Sequence, residues 1–114
     1  MADCIFCKIV AGEIPCRKVY EDEKVFAFED IHPMAPVHVV IIPKRHVATL
    51  MDVGPAEEPD FQAVMAVARE VARIKGLAQR GFRVVINCNS EGGQTVFHLH
   101  AHLLGGLKLK ENIA

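Results

Sequence analysis

Two kinds of hydrophobic pattern alternate along this 114-residue chain, and together they predict a mixed α and β fold. From Pro59 to Lys75, apolar residues recur at helical spacing with charged residues between them, which predicts one long amphipathic helix. The stretch from His38 to Ile42 is instead apolar and mostly β-branched, and Pro36 and Pro43 bound it. Such a run is typical of a buried strand.

Shorter apolar runs bounded by turn residues predict the rest of the fold. We expect four more strands, at Arg17–Tyr20, Lys24–Asp30, Phe82–Asn87 and Val96–Leu104. A short helix is expected over Cys4–Ala11, because Gly12 and the Ile14-Pro15 pair would end it. The sequence therefore predicts one α+β domain over residues 1–114, an antiparallel sheet of about five strands with one main helix and a short N-terminal helix.

The apolar face of the long helix is broader than one stripe, because Val67 and Ile74 extend it. A single small sheet covers only one side of such a helix. We therefore expect a homodimer in which a second subunit covers the remaining apolar surface.

Composition and charge exclude several classes of protein. Thirteen basic and fourteen acidic residues leave a formal net charge of −1, so the chain has no excess positive charge for binding a nucleic acid. No apolar run approaches the roughly 20 residues that span a bilayer, and the start of the chain lacks the features of a secretory signal. The four cysteines are interpreted as thiols. We expect a cytoplasmic protein that binds neither nucleic acid nor membranes.

Three histidines alternate with apolar residues near the end of the chain. If this segment is a strand, His98, His100 and His102 share one face, whereas a helix would separate them. Three imidazoles in register are costly to desolvate, so packing alone does not explain them. The pattern indicates a metal site or a phosphate site.

The loop before the histidines favours phosphate for at least part of this cluster. Gly92 and Gly93 allow backbone N–H groups to approach an anion closely, and Gln94 and Thr95 add side-chain donors. Histidine is also a competent nucleophile toward phosphorus when its far nitrogen is held by a hydrogen bond.

Cys4 and Cys7 form a second candidate site. The Cys-x-x-Cys spacing lets two thiolates bind one tetrahedral ion. The alternatives are a redox pair and two unrelated thiols on a short helix. A redox pair usually follows a strand, and no strand is predicted before this pair.

The segment from His98 to Leu104 resembles the signature of the histidine triad (HIT) superfamily. Gly105-Gly106 just after it is similar to the nucleotide-binding (HINT) branch of that superfamily. The resemblance covers nearly the whole chain, through segments at Cys4–Ile9, Phe28–Ile31, Ala35–His38, Ile42–His46, Asn87 and Gly92–Thr95. It implies a HIT-like fold and again a homodimer.

The resemblance implies a role for each histidine. His100 would attack the α-phosphate and form a nucleotidyl-histidine intermediate that water later hydrolyses. His98 would orient His100. His102 would hydrogen-bond a phosphate oxygen and stabilise the transition state, and His38 would be a more distant fourth histidine of the site.

The resemblance also implies a nucleotide-binding set. Asp30 would accept hydrogen bonds from the ribose hydroxyls. Phe28 and Ile31 would line the base pocket, although packing in the core would explain both residues equally well. The phosphate or the leaving group would be held by Asn87, Gly93, Gln94 and Thr95.

Zinc-bearing members of the superfamily imply a structural ion in this chain as well. Its ligands would be Cys4, Cys7, His46 and His98, with His38 as the replacement for His46. Such an ion would hold the N-terminal segment against the strand that presents His100. No organic cofactor is implied.

The implied activity is hydrolysis of purine nucleoside phosphoramidates, with AMP or GMP derivatives as substrates. Two alternatives remain open: hydrolysis of dinucleoside polyphosphates by the same chemistry, and a non-catalytic, metal-stabilised binding or scaffold protein. A free nucleophile at position 100 and a phosphate loop argue against the scaffold.

Two features depart from the family pattern. The tail from Leu107 to Ala114 lacks the aromatic C-terminus that helps form the partner subunit's site in relatives, so the preference for a leaving group does not transfer. Thr95 stands where close relatives usually carry serine; the hydroxyl is kept, and the extra methyl group restricts the side chain.

Overall fold

The structure is a computed structural model and describes residues 3–111. The sequence predictions for the first two residues and for positions 112–114 of the tail lie outside the described residues. Within the described range the elements follow in the order α1 (Ile5–Val10), β1 (Lys18–Glu21), β2 (Val25–Glu29), β3 (Val37–Pro43), a 3₁₀ turn (Leu50–Asp52), α2 (Glu58–Ile74), β4 (Arg83–Val85) and β5 (Ala101–Gly105).

The strands form one antiparallel sheet in the order β1-β2-β3-β5-β4. The register of β3 and β5 pairs Val40 with His102 and His38 with Leu104, and His102 also pairs with Val85, so the third histidine of the triad lies between β3 and β4. β4 is shorter than the predicted strand from Phe82 to Asn87. The five-stranded sheet, the long helix and the short N-terminal helix confirm the predicted α+β architecture.

The sheet is covered on both faces, because alternate residues of each strand point to opposite sides. α2 covers one face and forms the larger core with the strand residues Val25, Ala27, Val39, Ile41, Ala101 and Leu103. α1 covers part of the other face through Phe6 and Ile9, which pack against Phe26, Phe28, Val40 and Ile42. Cover on both faces explains why β2 and β3 are apolar at nearly every position.

The helix ends follow from local sequence chemistry. Cys4 precedes α1, and its Sγ accepts a hydrogen bond from the Cys7 N–H, as a capping group does. Pro59 lies in the first turn of α2, where an N–H has no partner within the helix. Gly76 follows α2 with a φ of +74°, a conformation that favours glycine and ends the helix. No helix among residues 3–111 combines the length and the apolar character that crossing a membrane requires.

The strand that carries the histidines is shorter than predicted. The sequence predicts a strand over positions 96–104, but β5 begins only at Ala101, so the first two histidines precede it in an irregular segment. Both of their rings bond to main-chain carbonyls, His98 to that of Pro43 and His100 to that of His98. These side chains take up carbonyls that a regular ladder would pair with backbone N–H groups.

The three histidine rings nevertheless share one side of the sheet, as the alternation predicts. The imidazoles of His98 and His100 both pack edge-on against Phe6, with ring centroids 5.9 and 5.1 Å away. The ring of His102 adjoins that of His100 at 4.9 Å. Phe97, which a strand over positions 96–104 would place on the opposite face among apolar residues, is 47% exposed.

The position of Leu103 in the core under α2 predicts a large loss of stability when its side chain is truncated. Leu103 is fully buried, and Leu103→Ala is expected to lower the free energy of unfolding by about 2–5 kcal/mol through lost burial and the cavity left behind. Leu107→Ala is the matched control: Leu107 is 53% exposed, and its truncation should cost less than about 0.5 kcal/mol. Urea denaturation followed by circular dichroism measures both. Equal losses would contradict the assigned core.

Candidate active site and metal centre

A cavity of about 270 Å³ lies between α1 and the sheet, on the face that α2 leaves free. It forms there because α1 has only six residues and covers only part of that face. Eight residues that the sequence analysis assigns to catalysis or nucleotide binding line it: Phe28, Asp30, Ile31, Asn87, Gly93, Thr95, His100 and His102. Positions far apart in the sequence thus surround one space.

The side chain of His100 is buried with one ring nitrogen committed to the backbone. Its Nδ1 lies 2.7 Å from the carbonyl oxygen of His98. A carbonyl oxygen only accepts hydrogen bonds, so the partner assigns the proton of the neutral ring to Nδ1 and leaves a lone pair on Nε2. This orientation suits a nucleophile or a base.

The backbone N–H of Met34 determines which ring nitrogens of His38 and His102 carry protons. This N–H donates to Nδ1 of His38 at 3.0 Å, so neutral His38 carries its proton on Nε2. That Nε2 lies 2.9 Å from Nδ1 of His102 and 3.4 Å from a carboxylate oxygen of Asp30. When His38 donates to His102, the proton of His102 is on its own Nε2. His102 therefore presents a hydrogen-bond donor.

Burial keeps the triad in its neutral form. Loss of hydration, with a smaller contribution from neighbouring imidazoles, lowers the pKa of both His98 and His102 to about 4. Loss of hydration also lowers the pKa of His100, while its bond to the His98 carbonyl acts in the opposite direction. Near neutral pH the cluster therefore offers one ring with a reactive lone pair and one with a neutral donor.

The glycine pair before the triad shapes a turn that reaches the cavity. A Cβ on Gly92 would collide with the backbone of Cys88, and Gly93 has a φ of +85°. The sequence predicts a free backbone N–H for an anion at Gly93. In the structure this N–H instead donates to the carbonyl of Ser90 at 3.0 Å. Asn87 holds the turn through a 2.7 Å bond from Nδ2 to the Gly92 carbonyl. The segment between β4 and the triad contributes four lining residues, Asn87, Gly93, Thr95 and Val96.

Gln94 is the predicted phosphate-binding residue that the structure does not bring to the cavity. Its side chain is buried, and its Oε1 accepts a hydrogen bond from the Asn89 N–H at 2.8 Å. Its Nε2 donates to the carbonyls of Ala48 and Val96 at 2.8 and 3.0 Å. With these amide groups committed, Gln94 braces the loop and offers no side-chain donor to a ligand.

The two predicted base-pocket residues differ in environment. Phe28 is 6% exposed and belongs both to the apolar cluster under α1 and to the cavity wall, so its position is compatible with both interpretations. Ile31 is 83% exposed, which excludes the core and places it at the rim of the cavity. Asp30, between them, lines the same cavity and accepts a hydrogen bond from the His32 N–H at 2.8 Å.

Phe6 belongs to the site, although no motif in the sequence predicts a role for it there. Phe6 is buried and lines the cavity, with its ring 5.5 Å from that of Phe28 and 5.1 Å from the imidazole of His100. The feature of the sequence that could predict its position is its place between Cys4 and Cys7. Two thiols that share an ion with the triad must bring the residue between them to the triad as well.

Cys4, Cys7, His46 and His98 converge on one point, because one ligand atom from each lies within 4.8 Å of all the others. Nδ1 of His98 is 3.2 Å from Sγ of Cys4 and 3.6 Å from Sγ of Cys7. Sγ of Cys7 is 3.5 Å from Nδ1 of His46. A tetrahedral ion with bonds of about 2.0–2.3 Å needs ligand separations of about 3.3–3.8 Å, so this set could hold a metal ion.

The carbonyl of Pro43 prepares His98 to be a ligand. It lies 2.7 Å from Nε2 of His98, so Nε2 carries the proton and Nδ1 turns its lone pair toward the thiols. Burial raises the pKa of the Cys7 thiol and Cys4 adds to this, whereas a bound cation would favour the thiolate. All four cysteines, which lie in the described range, are free thiols as expected. His38, the alternative ligand, lies instead beside the triad.

Comparison with known proteins identifies the family of this chain. Residues 11–109 match the family model of the HIT domain. The chain belongs to the HIT family. This HIT protein is 46% identical to Protein HitA of Neisseria gonorrhoeae, over 92% of the chain and 97% of that protein. It is 43% identical to the purine nucleoside phosphoramidase of Escherichia coli K12, over 98% of the chain and 94% of that protein.

Solved structures of HIT proteins have the same fold. A histidine triad protein from Clostridium difficile superposes with a TM-score of 0.95 at 48% identity, covering 99% of this chain and 98% of that one. A HIT family hydrolase from Clostridium thermocellum superposes with a TM-score of 0.97 at 44% identity, covering 100% of this chain and 99% of that one. The resemblance to the HIT superfamily is thereby confirmed.

The neutral state of buried His102 predicts a pH-dependent stability. Its folded pKa of about 4 lies below the ordinary value of 6.5, so the unfolded chain binds more protons between these two values. The stability that neutral His102 contributes is fully present above about pH 6.5 and is lost as the pH falls toward 4. In urea denaturation with a chelator present, His102→Asn should reduce the loss between pH 7 and pH 4.5 by about 1–2 kcal/mol.

His32→Asn is the matched control for this measurement. His32 is exposed and lies outside the cavity, so its replacement should leave the pH dependence of stability unchanged. If His102→Asn and the wild-type protein lose the same stability on acidification, the buried neutral state of His102 is wrong.

Proposed function

We propose that this chain hydrolyses purine nucleoside 5′-phosphoramidates through a covalent nucleotidyl-histidine intermediate on His100. The observation that carries the proposal is the orientation of this ring. Its Nδ1 donates to the His98 carbonyl at 2.7 Å, which leaves the lone pair of Nε2 for a substrate in a cavity that also contains Asp30 and His102. A neutral imidazole held in this way is a nucleophile toward phosphorus.

The reaction consists of two displacements at the α-phosphorus. In the first, Nε2 of His100 bonds to phosphorus, the phosphorus–nitrogen bond of the substrate breaks, and the leaving amine takes up a proton from water. In the second, water attacks phosphorus and gives up a proton to the hydroxide left by the first step, the bond to His100 breaks, and a nucleoside 5′-monophosphate is released. His102, whose Nε2 proton is maintained by its bond to His38, hydrogen-bonds a phosphate oxygen in both transition states.

The rest of the cavity suits a nucleoside phosphate. The carboxylate of Asp30 accepts hydrogen bonds from the ribose hydroxyls, and the ring of Phe28 offers an apolar surface to the base. The hydroxyl of Thr95 and the amide of Asn87 are the donors that the loop brings to the phosphate. The choice of a phosphoramidate rests on the Escherichia coli relative, and Gly105-Gly106 favours the HINT branch.

We propose zinc as the resident ion of the Cys4, Cys7, His46 and His98 cluster. Two thiolates and two imidazoles are a ligand set that zinc prefers in closed structural sites. Four protein ligands fill a tetrahedral sphere and leave no position for a substrate, so the ion has a structural role.

The free thiols also fit a reducing compartment, which favours the cytoplasm as the location of the protein.

We propose that the chain forms a homodimer. The structural support for it differs in part from the support that the sequence offers. Val67, which widens the apolar face of the helix, is buried within the subunit at 4% exposure. Ile74 at the end of α2 and Phe82 just before β4 remain 52% and 37% exposed. β4 is also the last strand of the sheet, so one of its edges faces away from the other strands. Exposed apolar side chains and an open strand edge suit contact with a second copy of the chain.

Replacement of the nucleophile tests the proposed reaction. His100→Ala is expected to lower kcat for adenosine 5′-phosphoramidate by about 10⁴-fold or more, because the covalent route is lost, while AMP binding and the circular dichroism spectrum stay nearly unchanged. His32→Ala, which alters an exposed histidine outside the cavity, should keep wild-type activity. A substantial residual kcat in His100→Ala would sink the covalent mechanism.

A substrate panel separates the proposed activity from its closest alternative. The value of kcat/KM should be higher for adenosine 5′-phosphoramidate than for diadenosine polyphosphates. The reverse order would favour dinucleoside polyphosphate hydrolysis, and no turnover of either would favour the scaffold.

Elemental analysis tests the proposed ion. Wild-type protein purified without chelator or affinity metal should contain about one equivalent of zinc per chain, and Cys4→Ser with Cys7→Ser should contain less than about a tenth. Cys16→Ser with Cys88→Ser is the matched control and should keep its zinc, because neither residue belongs to the cluster. Little zinc in the wild type, or unchanged zinc in the first double variant, would defeat the proposal.

Light scattering tests the proposed dimer. The chain has a mass of 12.6 kDa, and the particle should show twice that mass at micromolar concentration. A monomer mass under these conditions would refute the dimer.

A further inference from the structure

The active-site cavity and the metal centre share one wall. A second cavity, of about 450 Å³, lies against the metal-centre residues Cys4 and His46. Three residues line both this cavity and the active-site cavity: Ile5, Thr95 and Val96. A movement of this wall therefore changes both sites.

α1 forms one part of the wall and carries groups for both sites. The Sγ atoms of Cys4 and Cys7 lie 3.2 and 3.6 Å from Nδ1 of His98 in the metal centre. Phe6, between the two cysteines, is 9% exposed and packs edge-on against the imidazole of His100, with centroids 5.1 Å apart and planes at 89°. A helix of six residues is not stable by itself in water. Contacts of its side chains must hold α1 in place.

His98 lines neither cavity, but it contacts both the metal centre and the nucleophile. Its Nδ1 faces the thiols of the metal centre. Its carbonyl oxygen accepts the Nδ1–H of His100 at 2.7 Å. The metal ligands are thus joined to the nucleophile by two routes, one through Phe6 and one through the His98 backbone.

We propose that metal binding and nucleotide binding are positively coupled through α1, with Phe6 as the positioning residue. An ion bound by Cys4 and Cys7 would keep Phe6 against His100. Phe6 lines the cavity, so a nucleotide bound there would pack against its ring and also hold α1 in place. Each ligand stabilises the same position of the helix, so each raises the affinity for the other by the same factor.

This inference rests on the proposed function, because it requires an ion at the metal centre and a nucleotide in the cavity. The affinity for AMP of metal-free and zinc-loaded wild-type protein, measured by isothermal titration calorimetry, tests it. We expect the zinc-loaded protein to bind AMP at least about fivefold more tightly. Saturating AMP should raise the affinity for zinc by the same factor in competition with a chromophoric chelator.

A kinetic measurement covers the case in which the metal-free chain does not stay folded. The chelator removes zinc from the loaded, folded protein at a rate that the chromophore reports. Zinc leaves when α1 opens locally, and bound AMP makes this opening rarer, so saturating AMP should slow the removal at least about fivefold. An unchanged rate would count against the coupling.

Phe6→Leu tests the assigned residue. Leucine keeps an apolar side chain in the cluster but loses the aromatic edge against His100, so AMP and zinc should both bind while the coupling falls below about twofold. Phe26→Leu is the matched control, because Phe26 is similarly buried in the same cluster but belongs to neither the cavity wall nor the metal centre. It should keep the full coupling. A merely structural role for Phe6 predicts equal effects of the two substitutions.

The outcomes separate this inference from the function on which it rests. AMP affinities that agree within twofold for metal-free and zinc-loaded wild-type protein would overturn the coupling and leave the proposed function intact. Full coupling in Phe6→Leu would overturn the assignment of Phe6. Failure of the wild-type protein to bind AMP or zinc at all would contradict the proposed function, and the coupling with it.

Discussion

The hydrogen bond from Nδ1 of His100 to the carbonyl oxygen of His98, 2.7 Å long, sets the chemistry of the site. In a free neutral imidazole the proton exchanges between the two nitrogens, and neither lone pair is reserved for a substrate. Here the carbonyl holds the proton on Nδ1 and leaves the lone pair on Nε2. The bond lies in the irregular segment just before β5, which begins at Ala101.

Hydrogen bonds to main-chain groups also determine the tautomers of other histidines of the site. The Pro43 carbonyl accepts from Nε2 of His98, and the Met34 N–H donates to Nδ1 of His38. A main-chain group is permanently a donor or permanently an acceptor, so the backbone decides which ring nitrogen carries each proton. Burial then keeps His98 and His102 neutral by lowering the pKa of both rings. The broad core under α2 supports this arrangement from the opposite face, while short α1 leaves room for a ligand.

Much of the fold and of the site could be predicted because the responsible patterns are local. The helical period from Pro59 to Lys75 and the alternation at the triad lie within single segments of sequence. The bonding of Gln94 could not be predicted, because one of its partners is the carbonyl of Ala48, 46 positions away. Phe6 was missed for a similar reason: its contact with His100 depends on where α1 docks. The metal ligands were predicted through family resemblance, since spacing identifies only the cysteine pair.

The protonation of the ring nitrogens tests the central claim most directly. Long-range ¹H–¹⁵N correlation spectra of the ¹⁵N-labelled, zinc-loaded protein at neutral pH report which nitrogen of each imidazole carries a proton, and the spectrum of His100→Gln assigns the nucleophile. We expect a protonated Nδ1 and an unprotonated Nε2 for His100, and the opposite tautomer for His102. A His100 ring protonated on Nε2, or on both nitrogens, would contradict it.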